Sequence, residues 1–571
     1  MSTSRPDDPA DAATAPFAAA SPEAMPSETG PSETGQSGTG ALGTGAGDEP
    51  DAAAPSSESP PVITSTLTDP RTGRERVYES PLPLDDELQI DVERVLPTRV
   101  NAQAAAASGV IGGPIGWHAA IGRSRAWTPV RVVLLLALLA MSLSWFGKSG
   151  CIQQAPVEGQ PGQVRLNWDN QRQFYGLCYT DLVAGYQTNR LTPGDLARGT
   201  MPFRTYWTEN DGQTRSSMAE PVAVGMFAYG VAQLARGWQN LADQVPLIPD
   251  TLDVVAFFNI AALLLAVFWL LAVWATMRTD RRRPWLGALV ALSPLAMVHA
   301  FTAYQVIPVM LVALALLCWA ERRPLGTGIF LGLACASALY PLLLVVALGV
   351  ICVRERRVAQ WGTTVVTGAV AWTVVNLPIL LNYPTGWGEY YRELWRNGAQ
   401  PDSLYRVIEE LGGWSPSTDL LNALWLLLLA AVVAGVAYAG LRARRTPTAA
   451  QLMFLLVAGY LLVGKEWSPE NSLWLVPLAV LALGNHPRLL IAWMVVDALV
   501  WVPRMGLFLD EDRKWLPDDW FYAAVIVRAV VVAGLCAVVL YDMLRPRAPR
   551  TPQYVPPADD LLTASPAAAV R

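Results

Sequence analysis

The chain has 571 residues, of which 52% are hydrophobic, 16% are charged and 22 are tryptophan. Its net charge of −6 owes much to a polar beginning of about ninety residues, so it says little about partners, and no nucleic-acid partner is expected. Apolar runs such as the one from Val254 to Met277 do not alternate polar with apolar residues, which excludes a membrane β-barrel.

The beginning of the chain is rich in Pro, Ala, Ser, Thr, Gly and acidic residues, and it carries a short tandem repeat between Pro26 and Gly45. Such a segment has too few large apolar side chains to offset the entropy of folding, so residues 1–90 are predicted to form a disordered cytoplasmic tail. The segment also lacks the basic start and apolar core of a signal peptide. Residues 91–128 follow as a cytoplasmic juxtamembrane segment.

About a dozen apolar stretches lie between Pro129 and Leu544. A membrane span needs roughly 20 mostly apolar residues, and backbone that faces lipid has to be helical. Basic clusters such as Arg354–Arg357 follow every second stretch, as the positive-inside rule requires of cytoplasmic loops. The pattern predicts an all-α polytopic membrane domain over 129–544, with about 12 transmembrane helices. The predicted spans are 130–146, 254–277, 285–301, 303–320, 325–340, 341–353, 361–381, 418–441, 449–464, 472–484, 488–507 and 521–543.

This arrangement places the protein in the cell membrane as a multi-pass protein, with both termini, including the tail at 545–571, on the cytoplasmic side. The predicted spans that meet at 300–302 and at 340–341 are short enough to be re-entrant instead. The extracytoplasmic face then receives the loops at 147–252, 382–417, 464–471 and 509–520. An interfacial belt explains the Trp and Tyr of these loops but not their repeated Asp and Glu, so function is expected on this face.

The six cysteines fall into two groups. Four lie within predicted spans, where thiols usually act as small hydrophobic groups. Cys151 and Cys178 flank the start of the first outer loop, where a disulfide is permitted if that loop lies outside the cell. The alternative is two unpaired thiols. No Cys/His spacing indicates a zinc site, and no metal site is predicted.

Asp181 is the candidate catalytic residue, in the first outer loop just after Tyr179. A carboxylate near the membrane interface, partly removed from water, is suited to accept a proton from an attacking hydroxyl group. The alternative is an ordinary solvated or helix-capping aspartate.

Four segments carry a resemblance to a known family. They are GLCYTDL at 176–182, MAEPVAVGMF at 218–227, NGAQPDSLYRVIEELGG at 397–413 and KEWSPENSLWLVPLAVLAL at 465–483. In their order and placement the chain resembles the membrane glycosyltransferases of family 87, which include actinobacterial mannosyltransferases, from about Gly112 to the last span.

The resemblance implies a GT-C-like architecture and transfer of a sugar from a polyprenyl-phosphate donor. The acceptor is expected to be an envelope glycolipid or glycan on the outer leaflet, and Asp181 matches the acidic residue that serves as base. Membrane lipids, the sugar donor and the acceptor are the expected partners. No cofactor is expected, and the metal requirement stays open.

A phosphate leaving group requires nearby cations, for which Lys465 and Arg528 are candidates. Snorkelling is the alternative for Lys465, and an ion pair of Arg528 with Asp497 that joins two helices is the alternative for Arg528.

Further substrate-binding candidates are Tyr179, Glu220, Arg396 and Asp402. For most charges between 382 and 413, an amphipathic interfacial helix with ion pairs at i,i+3 and i,i+4 is the alternative explanation.

Three positions depart from the family pattern. Tyr304-Gln305 stands where a Trp-Asp pair is common, Ala338 precedes Leu339-Tyr340-Pro341 where a lysine is common, and the acidic residue before the first-loop proline is rearranged to give Glu220. These departures indicate a lost ion pair, a retuned substrate or an inactive relative.

The leading hypothesis is a glycosyltransferase for a mannose-like sugar that works by single displacement with inversion. A covalent intermediate would need a second carboxylate, for which Glu220 is the nearby candidate. The alternatives are a lipid or solute transporter or flippase, and a catalytically inactive scaffold for envelope synthesis.

Overall fold

The computed structural model describes residues 128–157, 159, 163–209, 214–247, 249 and 251–545, together with the backbone of 63–68 and 75–80. The latter two segments form an antiparallel hairpin, Ile63–Thr68 with Glu75–Ser80, which the composition of the predicted tail did not indicate. The rest of that tail, the juxtamembrane segment up to 127 and the tail beyond 545 lie outside the described residues.

Residues 128–545 are mostly helical, and six helices there are long and apolar enough to cross a membrane. They are Pro129–Ile152, Asp253–Thr279, Val358–Asn382, Thr418–Arg442, Pro487–Leu507 and Asp519–Leu544. Four shorter apolar helices are Val306–Ala320, Pro324–Cys335, Ala449–Leu462 and Pro469–Leu483. The predicted count of 12 spans and the GT-C-like topology therefore stay predictions.

The remaining elements are short, apart from the 21-residue helix Val222–Ala242 in the first outer loop. The other α-helices are Arg172–Tyr175, Asp181–Thr188, Pro193–Ala197, Gly287–Ala291, Pro294–His299, Leu343–Glu355, Pro384–Trp387, Glu389–Arg396 and Leu404–Gly412. Two small hairpins pair Gln154–Pro156 with Val164–Leu166 and Trp207–Glu209 with Thr214–Ser216.

The predicted span 285–301 is broken rather than continuous. A 3-10 turn at Pro284–Leu286 leads into Gly287–Ala291, and Pro294 starts a separate helix that ends at His299. Proline lacks the N–H that a continuing helix would donate, so a break before Pro294 is the expected result. The break leaves a bend at 300–305 whose backbone groups are free to contact other parts of the chain.

Close backbone contact fixes the helix Pro324–Cys335 against Val358–Asn382. A Cβ added at Gly332 would lie 2.2 Å from the carbonyl oxygen of Gly368, so a side chain at this position would force the two backbones apart. Small residues with four-residue spacing allow this approach in membrane helices.

The loops sort onto two ends of the helical domain. Residues 304 and 305, at the start of Val306–Ala320, line one cavity, whereas Leu316, Trp319 and Ala320 near the end of the same helix line another. Fifteen residues of helix separate those ends by about 22 Å. Residues of the loops 147–252, 382–417 and 464–471 line the first cavity, and Arg283, Arg322 and Arg357 line the second. Which end faces the cytoplasm stays a prediction.

Candidate active site

A cavity of about 350 Å³ lies where the first outer loop meets the loops around 393 and 465. Asp181 and Glu220 reach it from the first outer loop, although they lie 39 positions apart in the chain. Its charged lining residues among those described are Asp181, Glu220, Glu393, Lys465, Glu466 and Glu470. Five carboxylates and one ammonium group make this a strongly acidic cavity.

Hydrogen bonds to the broken helix hold Asp181 at the cavity. Thr180 caps the helix Asp181–Thr188 and donates its hydroxyl hydrogen to the carbonyl oxygen of Phe301 at 2.7 Å. The N–H of Asp181 donates to the carbonyl oxygen of Thr302 at 2.8 Å. Asp181 is the first residue of its helix, where the helix dipole favours a negative charge. The carboxylate is therefore placed by rigid backbone rather than by a loop tip.

The surroundings of Asp181 suit a proton acceptor. Burial raises the pKa of its carboxyl group to about 6, and the negative charge of Glu470 adds to the rise. The positive charges of Arg504 and Lys148 and a hydrogen bond from the Tyr179 hydroxyl oppose that shift. A base with a pKa just below neutrality is ionised at pH 7 and still takes up a proton readily.

Glu220 and Glu466 hold their protons more tightly. Burial, followed by the charge of Asp181, raises the pKa of Glu220 to about 8, so this carboxyl group is mostly protonated at neutral pH. Burial, followed by the charge of Glu470, raises the pKa of Glu466 to about 7. Two carboxyl groups of one cavity, Asp181 and Glu220, thus differ in protonation state at pH 7, as in enzymes that separate a base from an acid.

Lys465 lines the cavity, but all its hydrogens are already donated. Its ammonium group contacts the carbonyl oxygens of Leu394 and Asn397 at 2.8 Å each and the side-chain oxygen of Asn422 at 2.5 Å. An ammonium group has three donors. Lys465 therefore ties the end of the helix Glu389–Arg396 to the span Thr418–Arg442, and phosphate binding would require it to give up one of these bonds.

Arg528 lies behind the cavity rather than in it, contrary to the prediction that it contacts a donor phosphate. The side chain is fully buried, and its guanidinium carbon lies 4.1 Å from the ring centre of Trp467. It donates hydrogen bonds to the carbonyl oxygen of Trp467 at 2.8 Å and to that of Asp402 at 3.0 Å. These contacts support the loop that carries Glu466 and Glu470.

The predicted ion pair of Asp497 with Arg528 is not formed as a contact. Trp493 donates to one carboxylate oxygen of Asp497 at 3.0 Å, and the other oxygen has no hydrogen-bond partner. Of the Arg528 nitrogens, Nη2 donates to the carbonyl groups of the neighbouring loops, whereas Nε and Nη1 have no hydrogen-bond partner in the described part of the chain.

Asp402 and Arg396 do not line the cavity. Asp402 is buried in an ion pair with Arg504 at 3.0 Å, an arrangement that stabilises the wall of the site. Arg396 is exposed and reaches Glu389 at 3.4 Å, and Arg392 pairs with the same carboxylate at 2.6 Å. The helix Glu389–Arg396 is thus the ion-paired amphipathic helix of the alternative explanation.

Tyr179 contacts two charged residues near the cavity, one through its hydroxyl group and one through its carbonyl oxygen. Its hydroxyl is hydrogen-bonded to Asp181, and its carbonyl oxygen accepts a hydrogen bond from Lys148 at 2.7 Å. Cys178, next in the chain, is joined to Cys151 by a disulfide with a Cα–Cα distance of 5.5 Å. The crosslink anchors the segment before Asp181 to the end of the first long helix.

Comparison of the chain with models of known protein families indicates the class of reaction, which is sugar transfer. Residues 245–464 match the model of glycosyltransferase family 87. Over these residues the chain is similar to that family. Together with the apolar helices, the match identifies the chain as a membrane glycosyltransferase. No curated protein matches the chain.

The segment that matches the family model supplies one side of the cavity, while Asp181 and Glu220 come from the loop before it. Tyr304, Gln305 and Ala338, the positions that depart from the family pattern, all line the cavity. Gln305 accepts a hydrogen bond from the indole of Trp474 at 3.0 Å. The departures therefore lie where substrate would bind rather than at the periphery.

Three aromatic side chains line the same cavity as the carboxylates. Trp474, Tyr460 and Trp425 line the cavity, with ring centres 6.2 Å apart for the first pair and 6.4 Å for the second. Tyr340 stacks on the outer side of Trp474 at 4.2 Å. A cavity that combines flat apolar faces with hydrogen-bond acceptors suits a sugar ring, which has apolar and polar faces.

Sequence reasoning missed three residues of this site. Glu470 shapes the charge around Asp181 and accepts a hydrogen bond from Ser468 at 2.6 Å. Arg504 donates to Ser468 at 3.3 Å and thereby joins the same network. Lys148 lies in the last turn of the first long helix, where its position in the sequence is typical of a basic residue that flanks a membrane span. Only the intramembrane position of Arg504, near the outer end of its span, was a usable signal.

Proposed function

We propose that this glycosyltransferase moves a mannose-like sugar from a polyprenyl-phosphate donor to an envelope glycolipid or glycan on the extracytoplasmic face. The observation that carries the proposal is the position of Asp181, which backbone hydrogen bonds hold at the first turn of its helix, on the wall of a cavity of about 350 Å³. Removal from water raises the pKa of its carboxyl group to about 6, which suits a proton acceptor. The proposal keeps the predicted orientation, with the acidic cavity outside and both termini in the cytoplasm.

The proposed reaction is a single displacement at the anomeric carbon. The acceptor hydroxyl oxygen forms the new bond to that carbon while its proton passes to Asp181. The bond between the anomeric carbon and the phosphate oxygen breaks, and its electron pair leaves with the polyprenyl phosphate. Attack from the face opposite the leaving group inverts the anomeric centre.

Glu220 has a different role in this proposal. A carboxyl group with a pKa of about 8 is neutral at pH 7, so it donates a hydrogen bond instead of attacking carbon. We assign it to a sugar hydroxyl group, which a protonated carboxyl group binds without adding negative charge. This assignment disfavours the covalent intermediate considered from the sequence.

The acidic lining supports separate places for sugar and phosphate. Carboxylates accept hydrogen bonds from sugar hydroxyl groups, whereas they repel a phosphate at close range. Lys465, the cation that lines the cavity among the described residues, is already saturated by three protein acceptors. The sugar and the acceptor hydroxyl fit this cavity, and the phosphate requires a cation beyond it.

The test is Asp181→Asn in purified protein, supplied with labelled polyprenyl-phosphate mannose and an envelope lipid extract. Loss of the base is expected to lower the transfer rate by about 10²- to 10⁴-fold. Asp169→Asn is the matched control, since Asp169 lies in the same loop but forms a surface ion pair with Arg165. Equal rates for wild type and Asp181→Asn would remove Asp181 from its role.

A further inference from the structure

A second cavity of about 430 Å³ runs beside the first span, away from the acidic cavity lining. Its walls come from the end of that span (Ser144 to Lys148), from Pro294–Val298 and from the segment 495–502. We call it the side groove. Most of its lining is apolar, and Leu499 on its rim is 59% exposed on a membrane-spanning helix. Exposed apolar surface on such a helix faces lipid, so the side groove is open to the acyl layer.

A buried ammonium group lies in the side groove. Lys148 is 3% exposed, and its hydrogen bond among the described residues goes to the carbonyl oxygen of Tyr179 at 2.7 Å. Its nitrogen also lies 4.6 Å from the ring centre of Trp501, a cation–π contact. Two of its three N–H donors therefore have no hydrogen-bond acceptor among the described residues. This situation is the reverse of Lys465, whose three donors are all satisfied.

A second polar group points to a ligand at the same place. Ser144 lies one helical turn before Lys148, lines the side groove and is 1% exposed, yet its hydroxyl has no hydrogen-bond partner. Buried hydroxyl groups rarely lack a partner. A group with several acceptor oxygens and a negative charge would satisfy both residues at once.

Lys148 also connects the side groove to the acidic cavity. It interacts electrostatically with Asp181 and Glu470, and its acceptor Tyr179 carries the hydroxyl that is hydrogen-bonded to Asp181. An apolar groove open to lipid therefore ends in a cation beside the proposed catalytic base. A lipid-linked phosphate has the matching order of parts: an apolar chain, an anion and then the sugar.

We propose that the side groove binds the isoprenoid chain of the donor and that Lys148, with Ser144, binds its phosphate. This inference rests on the proposed function. When the bond between the anomeric carbon and the phosphate oxygen breaks, the electron pair remains on that oxygen, where the ammonium group of Lys148 stabilises the added charge. The sugar extends from this point into the acidic cavity, toward Asp181 and Glu220.

The experiment measures binding separately from transfer. Purified protein in phospholipid nanodiscs is labelled with a photoreactive, radiolabelled polyprenyl phosphate that carries no sugar, and in parallel with the corresponding neutral polyprenol. Lys148→Met is expected to weaken labelling by the phosphate about ten- to a hundredfold, the range of a charged hydrogen bond, and to leave polyprenol labelling unchanged. Lys148→Arg, which keeps the charge, is expected to retain most of the phosphate labelling.

A groove-filling substitution keeps the test decisive if Lys148→Met fails to fold. Leu499→Trp is expected to reduce labelling by both lipids, because it narrows the side groove. Leu427→Trp is the matched control: Leu427 is 66% exposed on another span and does not line the side groove. Unchanged phosphate labelling in both Lys148→Met and Leu499→Trp, or equal displacement by excess phosphatidylglycerol, would overturn the inference.

The two proposals fail in different ways. If the lipid phosphate labels the side groove as expected but wild-type protein transfers no sugar, the proposed function fails and the lipid-phosphate site stands. If wild type transfers sugar and Asp181→Asn does not, yet labelling maps to another part of the chain, the side-groove assignment fails and the role of Asp181 stands.

Discussion

The cavities at the two ends of the helical domain handle charge in opposite ways. The arginine-rich cavity, of about 470 Å³, contains ion pairs at contact distance: Arg283 with Asp280 at 3.0 Å and Arg357 with Glu355 at 3.1 Å. In the acidic cavity, Glu220 and Glu466 have no contact ion pair among the described residues. A compensated charge supports structure, whereas an uncompensated carboxyl group that is partly removed from bulk water has its pKa shifted into the range useful for proton transfer.

The comparison also separates two kinds of ion pair. Arg504 and Asp402, behind the acidic cavity, have side chains 15% and 3% exposed, whereas Arg357 and Glu355 are 39% and 32% exposed. Burial removes the screening that makes exposed pairs weak. We therefore expect substitutions at the two ends to differ in their effect on stability more than the distances between the paired atoms suggest.

The largest expected effect comes from breaking the buried pair. Arg504→Met leaves the buried carboxylate of Asp402 without its counter-ion, and removal of one partner of such a pair costs about 3–5 kcal/mol in the free energy of unfolding. Thermal unfolding in detergent measures the loss. The double variant Arg504→Met/Asp402→Asn is expected to recover part of it, because no uncompensated charge remains. Additive losses in the double variant would contradict this account.

The next effect is a change in the pH profile of transfer. Asp181 must be ionised, so the rate falls as pH drops through about 6, and Glu220 must be protonated, so the rate falls as pH rises through about 8. On each limb the rate changes by about tenfold per pH unit. Initial rates across this range give the two limbs.

Glu220→Gln tests the assignment of the upper limb. The amide donates a hydrogen bond at every pH, so the fall near pH 8 is expected to disappear while the limb near pH 6 remains. A variant that keeps both limbs unchanged would show that another group, such as Glu466, sets the upper limb. The corresponding substitution at the other end, Glu355→Gln, is the control and should leave the whole profile unchanged.

The smallest effect is expected at the arginine-rich cavity. Arg357→Gln removes an exposed ion pair, which contributes about 0–1 kcal/mol to the free energy of unfolding and less at high salt. Thermal unfolding at low and high salt measures it. A loss as large as that of Arg504→Met would mean that the distinction between the two ends does not rest on burial.

Much of the helical framework followed from the sequence, because spans and their flanking charges are encoded locally. The long helices Asp253–Thr279, Thr418–Arg442 and Asp519–Leu544 extend each predicted span by a few residues. The prediction of a continuous helix at 285–301 was wrong, because it rested on the apolar composition of the segment and did not allow for the break that Pro294 causes. The sorting of acidic and basic loops onto two ends followed from the positive-inside pattern.

The candidate site was predictable only in part. Asp181 and Glu220 were both candidates from the sequence and both line the cavity, although their catalytic roles stay proposals. Lys465 and Arg528 were chosen because they are cations near the outer face, but charge type and depth do not reveal which carbonyl groups the folded loops bring to them. Those acceptors come from residues 61 to 126 positions away, a distance over which sequence pattern carries no information.

The anchoring of Thr180 to Phe301 has a consequence for how this enzyme tolerates mutation. Residues 121 positions apart share a 2.7 Å hydrogen bond, so the bend between the helices Pro294–His299 and Val306–Ala320 sets the position of the proposed base. An insertion or a bulky replacement at that bend would register as a kinetic defect even though the altered residue never meets a substrate. The proposed activity thus depends on a stretch of buried backbone that a survey of the outer loops alone would overlook.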